Sequence, residues 1–285
     1  MAAAQDSTYY NGTLGYTQFS ENGTTITNGF FGFEGGAEFG DFMVSGALDV
    51  SRLDFGGMGG AGTLSGASLS GAYAITPNIA FGASFTRLDF DGSDATSNEL
   101  FMTFDGTDMS GPFFGRVALG DGDFFSGRYF GVTGGYEFNP GSEAALSLFR
   151  SLEDGADETL YVLQFQHSGE MFDVDGRYFG VSNDNFSQLD IDFSYAVTPQ
   201  IDVLADITSF DNGDLVSLGI GSSYEFTDGI AAYAKLNRLT DGSDSINGFG
   251  FGITFDMGEG SLKDQNTYER VFRPLYFNEG FPPFI

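Results

Sequence analysis

The sequence predicts an all-β chain, folded as a transmembrane antiparallel up-and-down β-barrel of about 16 strands. Three observations predict it. Apolar and polar residues alternate with period two in segment after segment. Two kinds of turn signal interleave at an even beat. The two faces that the alternation defines differ in kind.

The alternation is plainest in "DIDFSYAVTP". Ile191, Phe193, Tyr195 and Val197 share one face, while Asp190, Asp192 and Ser194 share the other. "GFGFGITFDM" likewise sets Phe249, Phe251, Ile253 and Phe255 against Gly248, Gly250, Gly252 and Thr254. Successive strand side chains point to opposite faces, so both stretches are two-faced strands. Tight turns fall at Gly40-Asp41, Pro77-Asn78, 106–111, Pro140-Gly141, Ser168-Gly169, Pro199-Gln200 and Asp228-Gly229, and the last strand ends near Met257. Between them lie loops rich in Asp, Asn and Gly, at 21–23, 56–62, 91–97, 120–123, 154–157, 183–185, 211–214 and 241–244. These residues tolerate positive φ or bond their own backbone, which suits turns. The repeat is therefore a hairpin of about 30 residues, with strands of roughly 10–12 residues, the length a tilted strand needs to cross a bilayer.

Composition bounds the chemistry. The 285 residues carry 11 Lys+Arg against 40 Asp+Glu, a net charge of -29. That balance excludes nucleic acid as a partner, because phosphates need basic residues. It suits a protein that handles cations, or one that is simply very soluble. With no Cys, disulfides, thiolate metal sites and Cys nucleophiles are excluded. The 33 Phe supply too much apolar area for a disordered chain. No run of about 20 apolar residues exists, so a spanning helix is excluded. The opening "MAAAQDS" fits a mature exported protein behind a start Met, or equally an ordinary cytoplasmic N-terminus. Residues 1–6 are read as an N-terminal segment left by processing or by the chosen start, 7–257 as the barrel and 258–285 as a non-barrel tail.

The faces decide between a soluble sandwich and a membrane barrel. One face carries Phe31, Phe33, Leu69, Tyr73, Phe81, Phe85, Val132, Tyr136, Val203, Leu218 and Ile220. The other carries Gly, Ser, Thr and the acids Glu34, Glu38, Glu137, Asp173, Asp175, Asp190, Asp192, Asp202, Asp206 and Glu225. A sheet of about 16 strands must close to hide its edges, and a barrel that wide holds water. The polar face then points inward and the apolar face meets lipid. Tyr73, Tyr136, Tyr195 and Tyr224 each stand shortly before a tight turn on the apolar face, where an aromatic belt would mark a water boundary.

Three basic residues share the inward parity: Arg116, Arg177 and Lys235. Facing so many carboxylates, they leave an acidic pore lining, which predicts cation preference that weakens as salt rises. Arg52, Arg87, Arg128, Arg150 and Arg238 have the outward parity, each beside an acidic outer loop. An arginine is tolerated at the membrane interface, and its fork matches phosphate. These five are expected to bind outer-leaflet lipid phosphate, as in lipopolysaccharide; the alternative pairs them with neighbours such as Asp54, Asp89 or Asp91.

Through its hairpins, its "YAITPN", "YEFNPG" and "YAVTPQ" turns and its closing "GFGFGITFDM", the chain from Ser7 to Met257 resembles the general porins of the Gram-negative outer membrane, particularly the acidic, Gly- and Phe-rich alphaproteobacterial kind. The resemblance implies a 16-stranded barrel, often a trimer, passing small hydrophilic solutes passively. Two departures stand out. The loop after the fifth strand, "DFDGSDATSN", is too short for the long constriction loop that porins usually fold into the lumen. The chain also continues past its last strand.

That continuation, "GEGSLKDQNTYERVFRPLYFNEGFPPFI", lacks alternation and carries Lys263, Arg270 and Arg273 together with aromatics that include Phe281 and Phe284. Three readings stand: a basic, aromatic plug in the acidic lumen, an interface with a subunit or periplasmic partner, or a disordered tail. No enzyme is expected, since His167 is the lone His and no nucleophile elbow is present. No cofactor or metal site is expected either. "DFDGSD" and "LGDGDFF" are only fragments of calcium loops, which leaves weak Ca2+ binding at the outer acidic loops open. The competing class is a soluble or secreted β-rich surface protein with acidic calcium-binding loops.

Overall fold

The computed structural model describes residues 8–21, 24–56, 60–106, 112–125, 127–153, 159–182, 186–257, 265 and 268–273. The strands are β1 (Thr8–Glu21), β2 (Thr24–Phe39), β3 (Phe42–Asp54), β4 (Ala61–Thr76), β5 (Ile79–Phe90), β6 (Ser93–Asp105), β7 (Phe113–Gly122), β8 (Gly127–Asn139), β9 (Ser142–Ser151), β10 (Thr159–Ser168), β11 (Phe172–Val181), β12 (Ser187–Thr198), β13 (Ile201–Phe210), β14 (Leu215–Thr227), β15 (Ile230–Thr240) and β16 (Ser245–Met257). Each pairs antiparallel with its sequence neighbours, and β1 pairs with β16. The ring is closed, so no strand edge is left unpaired.

Both chain ends of the barrel lie at the end that holds the tight turns, called here the short-turn end. Half of the strands keep the expected 10–12 residues and half run longer, β2 and β4 reaching 16 each. The acidic, Gly-rich segments assigned to outer loops partly continue the ladder instead. The expected loop at 91–97 contracts to Asp91 and Gly92, because both adopt positive φ, 46° and 89°, and close a two-residue hairpin. Ser93 to Ser97 then pair back onto β5. A two-residue hairpin cannot fold into the lumen, so β5 and β6 supply no constriction loop.

The outer wall is apolar around the circumference. Leu14, Phe33, Leu69, Phe85, Leu100, Leu119, Leu146, Leu163, Phe193, Val203, Ile220, Leu236 and Phe251 are all exposed, Leu100 at 69% and Leu236 at 68%. At the short-turn end this wall carries an aromatic row. Tyr73 meets Phe42 edge-on at 4.9 Å, and Tyr136 meets Phe113 at 5.0 Å and Phe138 at 4.9 Å. Tyr195 and Tyr224 are exposed on the same wall. The belt is thus built from Phe as much as from Tyr.

The inner wall accounts for the wealth of Gly and Phe. Inward-facing rings lie flat on glycines placed directly opposite on the next strand: Phe101 on Gly82, Tyr129 on Gly120, Phe114 on Gly135, Phe149 on Gly131, Phe30 on Gly15 and Phe19 on Gly248. A Cβ at any of these glycines would collide with its ring. The pairing lets a large side chain occupy the inner face without standing up into the lumen, an aromatic cover over glycine. The sequence-based expectation of an inner face made only of small and polar residues is corrected on this point.

Candidate functional site: the barrel interior

All thirteen residues with the inward parity lie on the inner face, and they fall into distinct settings. Asp175, Asp192 and Asp206 are direct cross-strand partners on β11, β12 and β13, forming an acidic row. Like charges directly opposite repel, so this row is held at some cost. Lys235 relieves one end, with Nζ 3.0 Å from Asp206 Oδ1. Arg177 stands opposite Asp190 across the β11–β12 ladder. Asp190 accepts from Gln188 Nε2 at 2.8 Å, and Asp173 accepts from Ser194 Oγ at 3.0 Å. Asp202 accepts from Ser223 Oγ at 3.0 Å, and Glu225 caps the Gly229 amide at 2.8 Å. Glu38 is exposed and Glu137 half-buried at the short-turn end.

Arg116 departs from the expectation that it faces the open lumen. Its guanidinium is paired with Glu99 and stacks on the Phe101 ring at 3.6 Å. Glu99 also accepts from the Tyr129 hydroxyl at 3.0 Å, and Ser97 joins that hydroxyl at 3.2 Å. The whole cluster is buried. Arg116 is therefore part of the wall's packing, held there because Glu99 shares its face on the neighbouring strand.

The described part of the tail lies inside the barrel. Tyr268–Phe272 forms a single π-helical turn. Tyr268 is 0% exposed and Arg270 1%. The Tyr268 hydroxyl donates to Asp49 Oδ2 at 2.8 Å. Arg273 forks between Asp49 Oδ1, at 3.1 Å from Nε, and Glu34. Arg270 Nη1 donates to Gln164 Oε1 at 3.1 Å, and Gln164 Nε2 donates to Gln265 Oε1 at 2.8 Å. Arg270 Nε closes the loop on the Gln265 carbonyl at 3.1 Å. Asp49 belongs to β3 and Gln164 to β10, seven places apart one way around the ring and nine the other. The segment is therefore a crossbar between nearly opposite walls, near the middle of both strands.

The Tyr268 ring joins an apolar cluster with Tyr129, Phe149, Val162, Phe179 and Leu88. Phe124, Phe125 and Phe186 pack against it from outer connections. Phe125 lies 4.2 Å from the Tyr129 ring, and Phe186 5.7 Å from Phe179. Around the rest of the ring, polar inner-face side chains in the outer half are buried as well: Thr17, Asn28, Ser51, Thr86, Ser147, Gln188, Thr208, Ser217 and Asn237. The short-turn half opens instead. Asp173, Asp175, Asp192 and Asp256 are exposed there. A cavity of about 820 Å³ lies along the β1–β7 side, lined on the inner wall by Met43, Ser45, Ser70, Ala72 and Thr103.

The five outward arginines stand near the outer ends of their strands, and all are exposed. Arg87 lies 3.5 Å from Asp94 and 3.8 Å from Asp89. Arg128 donates to Glu153 Oε1 from its Nε at 3.2 Å and from its backbone amide at 3.1 Å. Arg238 donates to Ser245 Oγ at 3.1 Å. Of the carboxylates named for the rim from the sequence, Asp89 lies beside Arg87, while Asp94 and Glu153 are further partners, the latter of Arg128. Of the tail residues singled out, Lys263, Phe281 and Phe284 lie outside the described residues. Among the described residues, no group of three or more metal-ligating side chains converges.

Sequence reasoning missed Asp49, Glu99 and Gln164, which organise the interior. Each has the inward parity of its strand. The signal that would have found Asp49 and Glu99 was that parity, which had been applied to other acids.

No protein-family model and no curated protein sequence matches the chain. Solved structures do. A triple mutant of the Rhodopseudomonas blastica porin superposes with a TM-score of 0.52 at 14% identity, over 89% of this chain and 100% of that one. Two further engineered variants of the same porin match over the same shares, with TM-scores of 0.52 and 0.51 at 13% and 14% identity. The chain is similar to them in fold, a closed 16-strand porin-type barrel.

Proposed function

We propose that the chain is a porin-type channel of the bacterial outer membrane, carrying small hydrophilic solutes and ions with a preference for cations. The observation that carries this reading is the pairing of an apolar outer wall with a polar, acid-bearing inner wall on a closed ring. Contiguous exposed apolar surface on this scale is foreign to soluble monomers, and only a closed barrel satisfies its backbone in hydrocarbon. That argues against the soluble, calcium-binding alternative. The exposed acids of the short-turn half supply the cation preference, since carboxylates along a wet passage concentrate cations. By the geometry of this barrel class the short-turn end faces the periplasm.

The crossbar of Tyr268 to Arg273 takes the place of a constriction loop, and the tail is the element that narrows the passage. The five outward arginines, at the opposite boundary, are assigned to the phosphates of outer-leaflet lipid. A trimer is the expected assembly. The test is single-channel recording in a planar bilayer under a salt gradient. Discrete steps with a cation-signed reversal potential are expected. A folded, detergent-solubilised protein that never inserts, or an anion-signed reversal, overturns the reading.

A further inference from the structure

Wall groups on both sides of the ring hold the crossbar, and those groups form a receptor with a readable specificity. On one side Asp49 and Glu34 present carboxylate oxygens to a guanidinium, with Asp49 also accepting from a phenol. On the other side the Gln164 amide offers its oxygen to a second guanidinium and its NH2 to a side-chain carbonyl. Between them the ring of Tyr268 enters an apolar cluster whose other members, among the described residues, belong to the barrel and its connections. Each contact is non-covalent.

We infer that this inner wall is a peptide-binding site, occupied here by the chain's own residues 268–273, and that it accepts in trans a basic segment with a tyrosine followed by arginines two and five positions later. The inference rests on the reading of the tail as the element that narrows the pore. The spacing follows from the reach between the walls. Tyrosine and the second arginine meet on Asp49, while the first arginine points the other way to Gln164, on nearly the opposite side of the ring. Access comes from the short-turn end, where the cavity of about 820 Å³ opens and the exposed Asp173, Asp175 and Asp192 attract a basic segment. The occupant that the geometry fits is thus a Tyr/Arg-bearing stretch of another protein on the periplasmic side.

The resident tail competes from an effective concentration of about millimolar, so the native chain resists a peptide added at lower concentration. Weakening the tail exposes the site. The experiment uses the full-length Arg270→Ala/Arg273→Ala variant in a planar bilayer, with a synthetic peptide of sequence QNTYERVFR and a scrambled control. The variant is expected to conduct more than the native chain, and the peptide to return it toward the native level from the short-turn side only. Adding Glu34→Gln and Asp49→Asn to that variant should weaken the block by about tenfold or more, the cost of losing charge-assisted hydrogen bonds. If the variant conducts like the native chain, the tail does not narrow the pore and both readings fall. If it conducts more but the peptide does not block, blocks equally from both sides, or acts no better than the scrambled control, the trans site alone is overturned.

Discussion

The two halves of the lumen are built on opposite principles. The outer half is packed like the interior of a soluble domain, with Tyr129, Phe149, Val162, Phe179 and Tyr268 in contact and polar neighbours buried. The short-turn half is a vestibule with exposed acids. The same strands supply both halves, so the difference comes from side chains. Inner-face aromatics stand toward the outer ends of β8, β9 and β11, while acids concentrate toward the short-turn ends of β11 to β13. A barrel wide enough to be wet is dry only where something fills it. Here the filler is a segment from beyond the last strand, joined by aromatics from outer connections.

The largest expected effect comes from removing that filler's anchor. Tyr268→Ala deletes a ring from the apolar cluster and a hydroxyl from Asp49. Large-to-small changes of this kind cost about 3–5 kcal/mol, and the docked state bears that cost. The channel should spend far more time open, read as higher single-channel conductance or longer open times. Phe149→Ala sharpens the comparison, because it hollows the same cluster while leaving the Asp49 and Gln164 contacts whole. It should loosen the outer half with a smaller change in conductance. Equal conductance for all three proteins would mean that the outer half is not the closed one.

The second effect concerns how rings are kept flat on the wall. Gly135→Val forces Phe114 off its glycine and into the lumen, a strain of about 1–3 kcal/mol. Its neighbour Gly134 has open space where a Cβ would stand, so Gly134→Val should be nearly neutral. Heat-modifiable gel migration reads both, and the Gly135 variant should unfold at the lower temperature. Similar midpoints would remove the argument that glycine is needed under the ring.

These two sites also mark how far the sequence could be read. Period-two alternation and the turn beat gave the barrel, its strand number and the inward or outward parity of every residue singled out. Each follows from local rules of the backbone that hold wherever the strand is placed. The glycine–ring pairs were not legible, because they depend on register between strands, and a one-residue slip would dissolve them. Nor was the crossbar. Tyr268 and Asp49 are 219 positions apart, and only closure of the ring and entry of the tail bring them together. The composition of the tail, basic and aromatic against an acidic lumen, did suggest a lumen plug, although an interface and disorder fitted that composition as well.

A smaller effect tests the vestibule. Asp175→Asn with Asp192→Asn removes two neighbours from the acidic row. Folding should tolerate the change, since direct like-charge pairs cost up to about 1 kcal/mol. The reversal potential in a salt gradient should move toward zero, and the shift should shrink in molar salt, where screening is about three times shorter in range than at 0.1 M. The same change at Asp190, which is buried and bonded to Gln188 in the closed half, should move selectivity less and stability more.

The smallest effect belongs to the rim, beyond both halves. Glu153 is half-exposed at the rim, and the Arg128 backbone amide and guanidinium hold its carboxyl below the usual glutamate value. A depressed carboxylate stabilises the folded state above its ordinary value and loses that contribution as pH falls through the lowered one. The link between β8 and the connection after β9 should therefore be intact at neutral pH and released in the acid range just below ordinary glutamate titration. An ion pair open to solvent at the rim is weak, so global unfolding should barely respond. Hydrogen exchange at the Arg128 amide is the sensitive probe, because that amide donates to the titrating oxygen. Its protection should fall on acidification in the native chain and be low at every pH in Glu153→Gln. If the native protection stays constant through the acid range, the contact is not held by the ionised carboxylate.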